Sequence, residues 1–319
     1  MQYTVLTIKE LNDIASQYNI GMVDSHKVLS GGSENTNYLI CTGSGSYVLT
    51  ICEQKTKHEA EQLADLLRHL ENNNFQTSKI LVSKNDKSII NYSDKPIMLK
   101  TFIEGDVIDN LSNDLLESIG EEIGKLHRIN APNYLPNKLN YGVEYFDEVK
   151  IYDEHSEFDL WLQKKKENFK SYFSLDLPKA LIHSDVFTSN VIISKDLQKT
   201  IIMDFEEATY YYRLFDIGMA IIGLCREGKT VNTTKACHLL KGYQKTISLI
   251  EEEKKSLQTF IIYAATAMSF WRHKNFNYTN KTEAFKNHYL ELKIIADSIE
   301  KMSDSDFEKA VFDLSLIHI

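Results

Sequence analysis

The hydrophobic pattern of this 319-residue chain changes character near residues 102–106. Before this point, short β-favouring runs alternate with turn-forming segments such as "GGSEN" and "TGSGS", which is typical of consecutive antiparallel hairpins. After it, apolar residues recur at helical spacing, as in "LLESIGEEIGKLHRI" and "SLQTFIIYAATAMSFW". The sequence therefore predicts an α+β fold, with a small antiparallel-sheet lobe over residues 1–103 and a larger, mainly helical lobe over residues 104–319.

Two helices are predicted within the first lobe. Thr7 and Glu10 have the spacing of a capping box ahead of an amphipathic pattern, and a second helix is expected over about residues 57–70. The strand-like runs "KILVS", "SII" and "PIMLKTFI" are expected to complete the lobe.

The composition narrows the class of partner. With 36 basic against 45 acidic side chains the formal net charge is -9, and no long basic stripe is present, which disfavours nucleic acid and anionic membranes. The one dense basic run, residues 164–166, is predicted to be a solvated helix face. Four cysteines without a CxxC pair indicate buried thiols in a reducing compartment. We expect a soluble, cytoplasmic protein with no nucleic-acid or membrane partner, whose oligomeric state the sequence does not predict.

The polar segment "HSDVFTSN", residues 183–190, lies between two apolar runs that predict short strands. An Asp followed five residues later by an Asn has the spacing of a kinase catalytic loop. There, the Asp accepts the proton of a substrate hydroxyl and the Asn helps to hold Mg²⁺. Asp185 is therefore the candidate base and Asn190 a candidate metal ligand. His183 is expected to brace the loop by hydrogen bonding, and Asp216 to cap a following apolar helix and steady the loop.

A second apolar run, in "KTIIMDFEEA", ends in Asp204 about 14 residues after Asn190. A carboxylate at a strand end suits Mg²⁺, which takes few carboxylates alongside substrate phosphates. Asp and Asn in loops also cap turns, and that alternative explains the loop alone as readily. The loop taken together with Asp204 and the two-lobe pattern favours kinase chemistry.

The stretch "LIHSDVFTSNVIISKDLQKTIIMDFEEA" resembles the catalytic core of the aminoglycoside phosphotransferase and choline kinase superfamily. In that superfamily a small residue replaces the usual loop arginine, as Ser184 does here. An Asp followed by Trp or Phe holds the metal, as Asp204 and Phe205 match. The resemblance, over about residues 28–276, implies a two-lobed protein-kinase-like fold, ATP and Mg²⁺ as cofactors and a small-molecule acceptor.

The segment "GGSENTNYLI" resembles the glycine-rich turn of the bacterial homoserine kinase branch. This implies that Gly31, Gly32 and Ser33 cover the ATP phosphates through backbone N–H groups. A plain hairpin turn is the competing interpretation. In a predicted hinge over residues 100–103, backbone groups from Lys100 onward are expected to bond adenine, and Phe102 to pack on it.

One position departs from the pattern of many relatives, which place a Lys or Arg on the third strand to clamp phosphates. The run "SYVLTIC" places Thr50 there, and a Thr cannot neutralise phosphate charge. Lys55 or Lys57 is the alternative source of charge. Glu59 or Glu61 is then the helix carboxylate that pairs with it, although both also fit ordinary surface charges.

The segment "YAATAMSFWRHKNF" is similar to a helix of the homoserine kinase branch that carries an aromatic pair followed by Arg, here Phe270, Trp271 and Arg272. An amino-acid acceptor needs a bidentate cation for its carboxylate and acidic groups for its ammonium. Arg272 fits the first need, and Glu206 with Glu207 fits the second. Glu206, Trp271 and Arg272 are the predicted substrate-binding residues.

The predicted acceptor is L-homoserine, with choline or ethanolamine as the first alternative and methylthioribose or an aminoglycoside next. The run "MDFEEATYYYRLFDIGMAI" also resembles choline and ethanolamine kinases, and a quaternary amine needs an aromatic cage. A catalytically silent kinase-like binding protein is the non-enzymatic alternative, against which the intact set of Asp185, Asn190 and Asp204 argues. The candidate cage residues are Tyr210, Tyr211, Tyr212, Tyr263 and Trp271.

Overall fold

The computed structural model describes residues 4–29, 35–195 and 199–312, so the predicted phosphate-covering residues Gly31, Gly32 and Ser33 lie outside the described residues. The chain forms two compact units, Met1–Gly105 and Asp106–Ile319. The first contains an antiparallel sheet and the second is mainly helical, which confirms the predicted α+β class.

The first unit is built on a five-stranded antiparallel sheet in the order β1-β2-β3-β5-β4. Its two helices begin where the sequence predicts, because Thr7 and Thr56 each form a capping box with a Glu three residues later. The elements are α1 (Ile8–Ala15), β1 (Val23–Leu29), β2 (Asn35–Thr42), β3 (Gly45–Cys52), α2 (Lys57–Asn72), β4 (Ile89–Tyr92) and β5 (Lys95–Thr101).

Alternate residues of the central strands fill the core of this unit. Leu49 and Ile51 of β3 and Ile97 and Leu99 of β5 belong to this core. The residues between them are buried as well, so both faces of the central strands are covered. The predicted strand in "KILVS" is wrong. That segment forms only an isolated bridge between Ile80 and strand β5, because its pairing with the sheet extends over too few residues.

The second unit consists of helices around three short two-stranded sheets, β6–β9, β7–β8 and β10–β11. Its helices are α3 (Asn113–His127), α4 (Val149–Tyr152), α5 (Glu157–Phe169), α6 (Arg213–Leu224), α7 (Thr233–Gln244), α8 (Glu251–Lys274), α9 (Tyr289–Glu300) and α10 (Asp304–Phe312). Its strands are β6 (Lys179–Ile182), β7 (Val191–Ile193), β8 (Thr200–Ile202), β9 (Thr209–Tyr212), β10 (Arg226–Glu227) and β11 (Thr230–Val231). Helix α6 is buried along most of its length, which matches its nearly continuous apolar sequence.

The basic run at residues 164–166 is not a uniformly solvated helix face. Lys165, in α5, is 1% exposed, and its Nζ lies 3.0 Å from Asp297 Oδ1 and 2.8 Å from Glu300 Oε2 of α9. It also lies over the Trp161 ring, 5.5 Å from the centroid. The prediction is wrong for Lys165 because the acidic side of α9 supplies partners that compensate for its burial.

No helix in the described parts of the chain combines the length and the apolar content that crossing a membrane requires. All four cysteines are free; Cys52, Cys225 and Cys237 are buried, and Cys41 is half-buried.

Candidate active site

Three predicted side chains meet at the ends of two short strands. Residues 183–190 connect β6 to β7, and Asp204 follows the β7–β8 hairpin. Asn190 Nδ2 donates to the backbone oxygen of Asp185 at 2.8 Å and to its Oδ2 at 2.9 Å. The Met203 N–H donates to the Asn190 oxygen at 2.8 Å, which fixes the start of the Asp204 segment beside the loop.

The environment of the Asp185 carboxylate favours its protonated form. It keeps some surface open to solvent, but protein encloses most of it. Burial raises the pKa of Asp185 and the charge of Asp204 adds to the rise, whereas His183 and the Asn190 hydrogen bond oppose it. A carboxylate with a raised pKa is a stronger proton acceptor, which suits a general base.

The Asp216 carboxylate, on α6, binds the backbone of this loop. Its Oδ2 accepts from the His183 N–H at 3.0 Å and its Oδ1 from the Ser184 N–H at 2.6 Å. His127 Nε2 lies 3.0 Å from the same carboxylate, and Tyr243 hydrogen-bonds His127 Nδ1 at 3.0 Å. The predicted steadying role of Asp216 is therefore confirmed. The predicted cap is wrong, because α6 begins at Arg213 and the Asp216 side chain binds the loop instead.

Two residues of the site have a left-handed backbone that non-glycine residues rarely adopt. Ser184 has a φ of 65° and Asp204 a φ of 67°. Surrounding contacts hold this conformation, since Ser184 Oγ donates to the Glu207 oxygen at 2.6 Å and Tyr141 donates its hydroxyl to the Ser184 oxygen. Strained backbone of this kind concentrates at functional sites.

His183 braces the loop as predicted. Its Nε2 lies 2.7 Å from the Met203 oxygen, and its Nδ1 accepts from the Asp185 N–H at 3.2 Å. Because Nδ1 accepts, the proton of the neutral ring is on Nε2. The imidazole therefore joins the loop to the segment that leads into Asp204.

Helix α6 packs directly against the loop at Gly223. A Cβ atom there would lie 2.1 Å from the Val186 carbonyl oxygen, so no other residue fits without displacing the backbone. This close approach places the last part of α6 against the loop, and Arg226 follows Gly223 by three residues.

Of the predicted substrate-binding residues, Arg272 contacts this loop directly. Its guanidinium lies over the Phe187 ring, 5.7 Å from the centroid, and its charge acts on Asp185. Burial lowers the pKa of Arg272 to about 10, and neighbouring Arg226 adds to the shift. Glu206 lies in the helical turn immediately after Asp204. Trp271 is half-buried and packs edge-on against Phe276, 5.8 Å between centroids.

The predicted hinge residues Lys100 and Phe102 lie at the end of β5 in the first unit. The Phe102 N–H donates to the Ser46 oxygen at 3.1 Å, and the Thr101 N–H to the Lys79 oxygen at 2.9 Å. These two N–H groups are engaged within the unit, and contacts to adenine stay a prediction.

Thr50, which occupies the position of the phosphate clamp, is buried and donates to Asn37 Oδ1 at 2.7 Å. Glu59 is the capping residue of α2, and its carboxylate accepts from the Thr56 N–H at 2.7 Å. Lys57 and Glu61 form an exposed pair at 3.6 Å. The surface-charge interpretation therefore describes these helix residues, and Glu59 acts as a cap.

Most of the tyrosines considered for an aromatic cage belong to the core. Tyr211, Tyr212 and Tyr263 are buried, and the Tyr211 and Tyr263 hydroxyls lie 3.3 Å apart. The Tyr263 hydroxyl also accepts from the Val143 N–H at 3.1 Å. Tyr210, by contrast, is 42% exposed on β9. Because three of the four tyrosines are buried in the core, they do not favour a cage for a quaternary amine.

Comparison with known proteins agrees with the site chemistry. The sequence profile of a phosphotransferase enzyme family matches residues 25–238. Homoserine kinase of Brucella anthropi is 26% identical over 297 residues, which cover 88% of this chain and 88% of the relative. An amicoumacin kinase solved with AMP-PNP, Ca²⁺ and Ami has a TM-score of 0.74 at 18% identity, with 93% of this chain and 96% of the other covered. A microcompartment-associated aminopropanol kinase has a TM-score of 0.73 at 15% identity, with 95% and 100% covered.

These matches confirm the resemblance that the sequence motifs indicate, and the two solved structures confirm the protein-kinase-like fold. The protein is a small-molecule kinase. Because the family profile matches more than half of its residues, the chain belongs to the phosphotransferase enzyme family.

Proposed function

We propose that this kinase transfers the γ-phosphoryl group of ATP to the side-chain hydroxyl of L-homoserine. The observation that carries the proposal is Arg272, a nearly buried guanidinium whose charge acts on the candidate base Asp185. The similarity to homoserine kinases over most of the chain supports the same acceptor.

In this reaction Asp185 orients the acceptor hydroxyl and takes its proton. The hydroxyl oxygen forms a bond to the γ-phosphorus, the bond from that phosphorus to the bridging oxygen breaks, and ADP leaves. The raised pKa of Asp185 supports proton uptake during the transfer. Its hydrogen bond from Asn190 fixes the orientation of the carboxylate before the acceptor arrives.

Asn190 and Asp204 are the proposed Mg²⁺ ligands. Both Nδ2 bonds of Asn190 go to Asp185, and its Oδ1, which accepts a long 3.4 Å bond from Ser189 Oγ, is the oxygen proposed for a cation. No group of three or more His, Cys, Asp and Glu side chains within the described residues is able to hold a metal ion. An Asn and an Asp fit Mg²⁺, which keeps water and substrate phosphates as its other ligands. When bound, the ion neutralises charge that develops on the phosphate oxygens.

We assign nucleotide binding to the lobe of residues 1–103, and catalysis and acceptor binding to residues 104–319. Gly31, Gly32 and Ser33 are the proposed phosphate contacts, and Lys100 and Phe102 the proposed contacts for the base. Since Thr50 is uncharged, the proposal relies on backbone N–H groups and the metal ion for the phosphate charge.

An amino-acid acceptor explains why a cation is buried beside Asp185. The carboxylate of homoserine loses water on entering an enclosed site, and this cost is not compensated unless the group is paired. Arg suits the role because its planar fork forms two parallel bonds, whereas Lys offers a point charge. Glu206 is the proposed partner of the substrate ammonium, and Trp271 the proposed wall of the acceptor site.

Arg272→Ala is expected to lower kcat/KM for homoserine by about 30-fold or more, because losing one partner of a buried charge pair costs about 2–5 kcal/mol. Arg272→Lys should recover only part of the loss. Steady-state ADP release at varied homoserine concentration measures both. The matched control is Lys274→Ala. Lys274 lies two residues after Arg272 on α8, and its side chain is partly exposed and paired with Glu148. Equal kinetics for Arg272→Ala and the wild type would contradict the assigned acceptor contact.

A further inference from the structure

Three basic side chains surround one carboxylate oxygen near the candidate active site. Glu291 Oε2, on α9, lies 3.5 Å from Arg226 Nη1 and 3.9 Å from Arg272 Nη1. His288 Nε2 lies 3.4 Å from the same oxygen. These distances exceed those of well-formed N–H···O hydrogen bonds, about 2.7–3.2 Å. Glu291 therefore balances charge in this cluster without satisfying the donors that face it.

Three side-chain nitrogens of this cluster are buried. Nη1 of Arg226, Nη1 of Arg272 and Nδ1 of His288 have no hydrogen-bond partner within the part of the chain that the structure describes. Arg272 is only 9% exposed. Native proteins leave few buried polar groups unpaired, and each such group calls for an explanation. A bound anion explains the unpaired donors, because it accepts hydrogen bonds from both guanidinium groups at once.

The cluster has an excess of positive charge. Two guanidinium groups face one carboxylate. Their positive charge affects the neighbouring His288: burial, Arg272 and Arg226 lower its pKa, and Glu291 opposes this shift. With a pKa of about 10, Arg272 is still charged at neutral pH. Asp185, whose charge also acts on Arg272, is the second carboxylate near these arginines, but it is reserved for the acceptor hydroxyl in the proposed reaction.

The cluster is also next to the loop that carries Asp185. Arg226 begins β10, directly after α6, and Gly223 of α6 touches the Val186 carbonyl. Arg272 lies over Phe187 of the same loop. The hairpin of β10 and β11 packs against α9, which supplies Glu291 and the adjoining His288. A ligand bound by Arg272 in this cluster is therefore next to the loop that carries the candidate base.

From this geometry we infer that Arg226 and Arg272 together form the carboxylate-binding site for the acceptor, and that Glu291 is an internal carboxylate which the acceptor displaces. The inference rests on the proposed function and adds two residues to it. Arg226 becomes a second specificity-determining residue. Glu291 competes with the acceptor carboxylate, because its charge lies beside the arginines until the acceptor displaces it.

The two roles predict opposite effects on the acceptor KM. Arg226→Ala removes one of the two cations and should raise KM for homoserine about 10-fold or more, with a smaller change in kcat. Glu291→Gln keeps the size of the side chain but removes the competing charge. It should lower KM for homoserine about threefold, because a larger fraction of the enzyme is then ready to bind. If Glu291 served only to hold the arginines in place, the same change would raise KM.

The experiment measures kcat and KM with L-homoserine and with 3-amino-1-propanol, which is homoserine without its carboxylate. The variants are Arg226→Ala, Arg226→Lys, Glu291→Gln and Lys229→Ala, the last being an exposed basic residue on the same hairpin. The inference predicts that Arg226→Ala lowers the homoserine preference about 10-fold, that Arg226→Lys restores part of it, and that Lys229→Ala leaves it unchanged. Calorimetric binding of L-2-aminobutyrate, which has the carboxylate but no hydroxyl, tests the site without turnover.

The outcomes separate the inference from the proposed function. Homoserine turnover with Arg226→Ala and Lys229→Ala behaving alike overturns the inference alone. Wild-type enzyme that binds L-2-aminobutyrate through Arg226 but does not phosphorylate homoserine overturns the proposed function alone. A wild type that uses 3-amino-1-propanol as well as homoserine and does not bind L-2-aminobutyrate overturns both. A rise in the homoserine KM with Glu291→Gln overturns the displacement role.

Discussion

Asp185→Asn is expected to lower kcat for phosphoryl transfer by about 100-fold or more, while ATP binds as tightly as to the wild type. The amide keeps an oxygen for the Asn190 hydrogen bond, so the loop retains its shape. It has almost no basicity, however, and is unable to take the proton of the acceptor hydroxyl. The effect therefore falls on the chemical step and leaves nucleotide affinity alone.

Single-turnover phosphoryl transfer and calorimetric ATP binding separate these two effects. Asp176→Asn, at an exposed position ahead of β6, is the matched control, and it should retain wild-type rates. An Asp185→Asn variant within a few-fold of the wild-type kcat would show that another group accepts the proton.

Asp204→Ala is expected to abolish turnover and to remove the effect of Mg²⁺ on ATP binding. The proposed site has only one amide oxygen besides this carboxylate, so losing Asp204 leaves too little negative charge to hold the ion. Comparing ATP affinity with and without Mg²⁺ in both proteins measures the loss.

The backbone of Asp204 adds a second effect that has to be separated from the first. With a φ of 67°, an alanine here is strained, whereas a glycine adopts this conformation freely. Asp204→Gly therefore removes the carboxylate without the strain and should be as inactive as Asp204→Ala. If the glycine variant kept the Mg²⁺ dependence of ATP binding, Asp204 would not be a metal ligand.

Local signals in the sequence predicted the elements whose structure is decided locally. The Thr7 capping box and the turn-separated apolar runs of the first unit correspond to α1 and to the first three strands. The separation of five residues between Asp185 and Asn190 predicted that the two side chains lie together, and they form a hydrogen bond. A short loop between two strands has few ways to place both side chains. Helix α10, which is only nine residues long, was missed.

Residues that act through distant contacts left no local signal. His127 reaches Asp216 across 89 positions, and nothing in the spacing around either residue indicates the other. Arg226 and Glu291 lie on elements that meet only in the folded chain. Lys165 was predicted on the surface because its neighbours in sequence are basic, whereas its burial depends on the acidic residues of α9.

Asp216 accepts hydrogen bonds from backbone N–H groups, as its residue type predicts, but these groups belong to the loop and not to the start of the helix. An Asp at the start of an apolar helix is a common cap, and the helix does begin three residues earlier. Its carboxylate accepts from the catalytic-loop backbone instead, because that loop brings two N–H groups into the buried space beside α6.

The most direct test of the proposed activity is ATP-dependent turnover of L-homoserine, choline, ethanolamine and methylthioribose measured side by side, with the phosphorylated product identified by ³¹P NMR. We expect Mg²⁺-dependent formation of O-phospho-L-homoserine and ADP in equal amounts, with a kcat/KM for homoserine well above that for the acceptors without a carboxylate. Turnover of choline with none of homoserine would contradict the assigned acceptor.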